Sequence, residues 1–509
     1  MGRLCFLSAH QMLEGFRSGQ LSPVEVMKDT LLRVREVNST YNCICFLENE
    51  QTLIDKAAAA EQRYLQGKSS GKLDGIPITI KDLLYVPDMP TLNGSMLPPH
   101  KEHPLITPCV LSIIQEGGII IGKTTTSDFG WKAVTVCPRT GITRNPYDAD
   151  RITGGSSGGS ATAVALGIAP LSIGSDAGGS LRIPAGFCGV VTLKATIGVV
   201  PHAPVSVFGS LSTVGPFARD VRDLSLLLDV IAKTSVEDWL SVYPGRRDTL
   251  MPNPYSRICE EGGDLRGLRI AVSYDLNHYV RYIDEEVKRS IREAVSVLES
   301  LGATVTNVDD REEDWNLNRL DIYHTYKVLW SAAAAQVISM KKESYGMTEE
   351  EIKEKMDGGL YELAMLGRKY SAPDVMEAEH TRAELGVMMN KFHQKYDVLI
   401  TPNMCIPPFA ADREVPEDVE TIATGPGKKG WNADTDLKRF FTWTAMSYVF
   451  NMTKQPAAAV PCGKFSWGKQ VPISMQVVGA MFREDLVLRV CNAYQKVTTH
   501  HTRNADHMG

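Results

Sequence analysis

Gly174-Ser-Asp-Ala-Gly-Gly-Ser180-Leu-Arg-Ile-Pro-Ala185 is the stretch on which the reading of this 509-residue chain turns. Ala177, Gly178, Gly179 and Ser180 are successive small residues whose N–H groups can converge on one point, a cradle for a negative oxygen. Upstream lies a second serine–glycine run, Gly154-Gly-Ser-Ser-Gly-Gly-Ser160. Between Thr153 and Gly198 there are eleven glycines in 46 positions, a density that suits close backbone approach better than packing. Further upstream, Ile76-Pro-Ile-Thr-Ile80 is a short β-rich run that delivers Lys81-Asp82 at its end.

Outside this region the patterns alternate between helix and strand. Ser8-x-x-Gln11, Ser22-Pro23-x-Glu25 and Thr348-x-x-Glu351 are capping boxes, and Pro23 suits a first helical position. Residues 1–70 read as N-terminal helices. Residues 264–308 read as β-α-β: a strand at Leu268–Ser273, a helix from Asp284 to about Ser300 capped by Gly302, and a strand at Ala303–Val308. Residues 321–395 read as mostly helical and 411–430 as a polar surface loop. Strands return at Ala457–Pro461 and Ile473–Val478, with a helix from about Glu484. The alternation points to an α/β fold, and no linker divides it.

Composition excludes several classes. A hydrophobic share of 43% against 22% charged residues describes a globular chain, and a net charge of −6 leaves no basic excess for nucleic acid or an anionic membrane. No apolar run is long enough for a spanning helix, and the first residues lack a secretory pattern. The ten cysteines contain no C-x-x-C pair, which suits reduced, mostly buried thiols in the cytoplasm and no metal site.

Three motif matches fail on context. Gly117–Thr124 fits the phosphate-loop pattern, but its strand-like triplet Ile119–Ile121 lies between the glycines, where the loop belongs. Gly154–Gly159 fits G-x-S-x-G, yet a turn-like segment precedes it and none of His202, His278, His324, His380 and His393 has the context of a catalytic partner. Ser69-x-x-Lys72 and Ser339-x-x-Lys342 lack companion motifs.

A fourth constellation is specific. Lys81 follows Gly75-Ile-Pro-Ile-Thr-Ile, Ser156 lies 75 residues on within Gly154–Ser160, and Ser180 a further 24 residues on. With Gly122-Lys-Thr, Arg144-Asn-Pro, Ser212-Thr-Val-Gly-Pro216 and Pro456-Ala-Ala-Ala-Val-Pro461, this resembles the amidase-signature family over most of the chain. The resemblance implies an α/β fold with a mixed central β-sheet covered by helices on both faces, in one domain: helices to about 70, a catalytic core at 71–235, and the rest of the core and the substrate pocket at 236–509. It implies amide C–N hydrolysis through an acyl-enzyme, with Ser180 as nucleophile, Ser156 at a cis peptide bond as proton relay, and Lys81 as base. Carbamate (urethane) or aryl-amide hydrolysis by the same trio is the alternative.

The chemistry is consistent with those residue types. An amide needs an activated nucleophile, a stabilised oxyanion and a proton for the departing nitrogen. Lysine is a base only when neutral, and apolar neighbours such as Ile76, Ile78 and Ile80 favour that form. The Ala177, Gly178, Gly179 and Ser180 N–H groups are the expected oxyanion hole, and Ser157 and Ser175 are expected to orient the trio. Arg182 is expected to pair with Asp176 or backbone and not with substrate. Tyr323, Tyr326, Trp330, Met340, Phe441, Trp443, Met446 and Tyr448 suggest an apolar pocket wall, with the site in loops near the sheet's edge. A small-molecule amide or carbamate is the expected partner, with no cofactor, nucleic acid or membrane, and with a homodimer left open. A tRNA-dependent amidotransferase subunit is disfavoured, because Ser210-Leu-Ser-Thr-Val-Gly-Pro lacks the Asp-Gln expected there.

Overall fold

The computed structural model describes residues 3–99, 105–242, 254–311, 313, 315–416 and 441–502. Ser8 and Ser22 cap the helices α1 (Ala9–Ser18) and α2 (Pro23–Tyr41), with the reciprocal bonds from Gln11 and Glu25 in place and Pro23 at the first position. The N-terminal segment is not wholly helical. Before α3 (Glu50–Leu65) the chain forms a strand, β1 (Ile44–Leu47). Its four residues are too few to show a period, and it exists because an open sheet edge accepts its backbone.

The next strands are β2 (Pro77–Lys81) and β3 (Ile119–Thr124), with α4 (Pro108–Gln115) between them, then a small hairpin of β4 (Val136–Cys137) and β5 (Gly141–Ile142). The helix α5 (Gly158–Ala165) leads into β6 (Leu171–Asp176), and α6 (Arg182–Cys188) leads into β7 (Val191–Lys194). After β8 (Thr213–Ala218) come β9 (Arg269–Val272), β10 (Thr304–Asn307) and β11 (Val398–Pro402). The strands end with β12 (Ala457–Lys464) and β13 (Pro472–Gly479).

Eleven of these form one sheet in the order β1-β3-β2-β6-β8-β7-β12-β13-β11-β9-β10. Pairing is parallel for β3-β2-β6 and for β11-β9-β10, and antiparallel elsewhere, so the sheet is mixed. Every residue of β2, β3, β6, β8 and β13 is buried, which an inner strand achieves only with cover on both faces. α5 packs on β2, β6 and β8, and α6 on β7, β12 and β13. The β-α-β unit forms as read: β9 and β10 are parallel, joined through a helix at Glu285–Ser300 that Asp284 caps. Most of the 411–430 stretch lies outside the described residues, and 411–416 are turns and bends. No helix among the described residues is long and apolar enough to cross a membrane.

The phosphate-loop match dissolves into the sheet. β3 runs through Gly122-Lys123, and the Lys123 ammonium is buried 3.4 Å from the Asp82 carboxylate and 2.9 Å from Thr91 Oγ1. Gly122 sits opposite Leu47 of β1, where a Cβ would lie 2.2 Å from the Phe46 carbonyl oxygen. The glycine is there to let β1 pair. Gly122→Ala should displace β1 and cost about 1–3 kcal/mol, read as a lower thermal midpoint; an unchanged midpoint would mean that the edge yields freely.

Candidate active site

Lys81 ends β2 and Ser175-Asp176 end its parallel neighbour β6, with Ile80 paired to Ile173. The carboxyl ends of these two strands therefore open into one crevice, as in other open α/β sheets. They are the third and fourth strands of eleven, so the expected place near the sheet's edge is corrected: the site is well inside. The apolar strand that delivers the lysine also shields it from water.

Lys81 Nζ lies 2.7 Å from Ser156 Oγ, 2.8 Å from Ser157 Oγ and 3.1 Å from Ser175 Oγ. Among the described residues it has no carboxylate within ion-pair distance; Asp82, its neighbour in sequence, is paired with Lys123 instead. Burial pushes the amine down to about 7, against a weaker pull upward from Asp176. Ser157 Oγ donates to the Ser175 carbonyl (3.1 Å) and accepts the Ser175 N–H (3.3 Å). Ser157 is the N-cap of α5, but its side chain does not cap, so its hydroxyl is spent on the lysine cluster. The Gly155–Ser156 peptide is cis.

Ser180 sits in the turn between β6 and α6, and its carbonyl accepts the Ser157 N–H at 3.3 Å. Its hydroxyl makes no hydrogen bond to Ser156 among the described residues. Lys81 and Ser157 are fully buried, whereas Ser175 and Ser180 each keep 7% exposure, so a ligand can reach the serines and not the amine. The turn hangs on Asp176. Its Oδ1 accepts the Gly179 N–H (2.7 Å) and its Oδ2 the Leu181 N–H (3.1 Å). Gly179 therefore departs from its expected place in the oxyanion cradle, because its N–H is already committed. The N–H groups of Ala177, Gly178 and Ser180 have no acceptor among the described residues.

Arg182 pairs with Asp176 as expected, Nε to Oδ2 at 3.0 Å and Nη2 to Oδ1 at 3.1 Å. It also donates to the Ser447 carbonyl (2.9 Å), Gln476 Oε1 (2.7 Å) and Asn451 Oδ1 (2.5 Å). Burial alone would raise the Asp176 carboxyl, but Arg182, Asn451 and Lys194 hold it well below the usual carboxylate range. Beside the trio a cavity of about 190 Å³ reaches Ser175 and is lined by Leu83, Tyr85, Phe129, His202, the loop 204–207 and Met340. Of the expected pocket wall, Met340 lines this cavity. Tyr323, Tyr326, Trp330, Phe441 and Tyr448 form a buried aromatic cluster, Tyr326 of which touches Gly178. Trp443 stacks near Phe187 in the core, and Met446 is buried. The loop 204–207 carried no signal beyond its proline, while His202 is held neutral, burial pushing its imidazole down to about 4. Among the described residues no three His, Cys, Asp or Glu side chains are placed to hold a metal ion.

Removing the cation from this buried pair should be costly. Arg182→Met leaves Asp176 charged and unpaired, which is expected to cost about 3–5 kcal/mol in denaturant unfolding. A loss below 1 kcal/mol would show that Asn451 and the backbone suffice.

Comparison with known proteins identifies the family and the fold. The amidase family model matches residues 25–488. Relatives include a glutamyl-tRNA(Gln) amidotransferase subunit from Chloroflexus aggregans, 30% identical over 99% of both chains, and an acylamidase from Rhodococcus erythropolis, 31% identical over 97% of this chain and 96% of that one. Among solved structures, a bacterial aryl acylamidase of the amidase-signature enzymes superposes with a TM-score of 0.84 at 23% identity, covering 98% of each chain. A 6-aminohexanoate cyclic dimer hydrolase superposes at 0.82 and 25% identity over the whole of both. With its family model matched over most of its length and its fold shared with those enzymes, the chain belongs to the amidase-signature family.

Proposed function

We propose that this enzyme hydrolyses the C–N bond of small non-peptide amides, carbamates included, with Ser180 as nucleophile, Ser156 as proton relay and Lys81 as base. The observation that carries the reading is a buried amine ringed by three hydroxyls with no countercharge in contact among the described residues. A neutral amine has two N–H donors and one lone pair, matching three contacts. Ser157 gives its own hydrogen to the Ser175 carbonyl and so accepts from the lysine. The Ser156 hydroxyl is left free to donate into the lone pair, and its oxygen to accept a proton from Ser180.

The steps follow. The Ser180 proton passes through Ser156 to Lys81 as the Oγ–C bond forms. The carbonyl oxygen becomes an oxyanion held by the free N–H groups of Ala177, Gly178 and Ser180. The proton returns through Ser156 to the nitrogen, the C–N bond breaks and the amine leaves. Water then attacks the acyl-serine, losing a proton by the same route, and Ser180 is restored with release of the acid. The Ser180–Ser156 contact closes on substrate binding, as catalytic hydrogen bonds often do.

The amidotransferase relatives, 30–32% identical over nearly the whole chain, favour a second reading in which this chain releases ammonia for a partner protein. Against it, Ser212 and Thr213, at the entry to β8, stand where Asp-Gln is expected. Turnover of para-nitroanilides, primary amides and carbamates by the chain alone decides between them; none without partner proteins would favour the second.

Lys81→Ala and Ser180→Ala should each lower kcat/KM by about 10³-fold or more. A fluorophosphonate adduct should map by mass spectrometry to Ser180, and an adduct on Ser156 or Ser157 would overturn the assignment. The base works unprotonated, and burial lowers its pKa to about 7, so the active form is present above that value. kcat/KM should fall about tenfold per pH unit below 7 and level off above it; an acid limb near pH 10 would show that the lysine keeps its ordinary pKa and is not held neutral by burial.

A further inference from the structure

The turn that carries Ser180 is touched by a side chain with no assigned part. Tyr326, on the helix Ile322–Tyr345, is 2% exposed, and its Oη lies 2.1 Å from where a Cβ on Gly178 would be. The hydroxyl is thus packed directly on the turn, and the position tolerates only glycine. Among the described residues the Tyr326 hydroxyl has no hydrogen-bond partner. Its oxygen is not among the fully buried polar atoms, so an acceptor that arrives with the substrate can reach it.

The ring cannot swing away. It stacks on Tyr448 with centroids 4.4 Å apart and planes 9° apart, meets Phe441 edge-on at 5.4 Å, and leans on Trp330 at 5.2 Å. Trp330 is itself fixed, stacked on Phe208 at 3.9 Å with its Nε1 donating to the Trp131 carbonyl (3.2 Å). Phe208 continues the loop 204–207 that lines the cavity. Burial keeps the phenol far above its ordinary pKa, so the group stays an O–H donor wherever the enzyme works. Of the four backbone donors expected around the oxyanion, Gly179 is lost to Asp176. A preset donor stands against the next residue back.

We propose that the Tyr326 O–H is a side-chain donor to the oxyanion, completing a cradle otherwise built from the Ala177, Gly178 and Ser180 N–H groups. This rests on the Ser180 hydrolase reading. The donor helps where charge develops and little in the ground state, so its removal should act on kcat and not on KM.

Tyr326→Phe keeps the ring and its stacks and deletes only the O–H. With a para-nitroanilide substrate, kcat should fall about a hundredfold with KM within twofold of wild type. Affinity for a trifluoromethyl ketone analogue of the same acyl group should fall by a similar factor, with the thermal midpoint unchanged. A wild-type kcat, a rise in KM alone, or a lower thermal midpoint with unchanged ketone affinity would each overturn the proposal while leaving Ser180 in place. A wild-type protein that turns over none of the amide or carbamate substrates, in which Ser180 takes no fluorophosphonate, would overturn both.

Discussion

An uncompensated amine in a dry place is the constraint around which this molecule is arranged. The chain buries several other lysines, and each meets a different environment. Lys123 has Asp82, Lys132 has Asp357 and Glu414, Lys194 is taken by the carbonyls of Ala195 and Gln455, and Lys341 donates to the Pro98 carbonyl. Carboxylates keep a lysine charged, and carbonyls can only accept from it. Among the described residues, Lys81 alone of these five has only hydroxyls as its hydrogen-bond partners, groups that both accept and donate. That difference sets Lys81 apart from lysines held by carboxylates or carbonyls, and it is the ground for proposing it as the base.

The surrounding structure serves that exchange. Parallel pairing of β2 with β6 sets the amine beside Ser175, and α5 begins where its first serine can turn inward and not cap. The turn that carries Ser180 is braced from its far side. Asp176 holds two of its N–H groups, Arg182 holds Asp176, and Ser447, Asn451 and Gln476 hold Arg182. Each link satisfies a buried charge or donor, so loosening any one exposes the next to an unpaired state.

What could be read in advance follows from what is local. Capping boxes, the β-α-β unit and the strand that ends at Lys81 were legible because a few neighbouring side chains determine each. β1 was not, since four residues at an edge form a strand only when β3 is there to receive them. The commitment of the Gly179 N–H was not, because a string of small residues says that donors can converge and not which one an aspartate three residues earlier will take. The inner position of the site was hidden for the same reason: strand order depends on pairings between distant segments. The stripe from Tyr323 to Tyr448 was visible as aromatic content, but only the fold distinguishes Tyr326, against Gly178, from Trp443, which belongs to the core.

The brace on the Ser180 turn reaches forward to β13. Gln476 belongs to β13, which with β12 is inserted in the sheet between β7 and β11, strands made long before them. A ribosome that has passed Ser180 has therefore made this turn well before the strand that supports it. The brace is complete only once β13 is added, and a product terminated before it carries the turn unsupported.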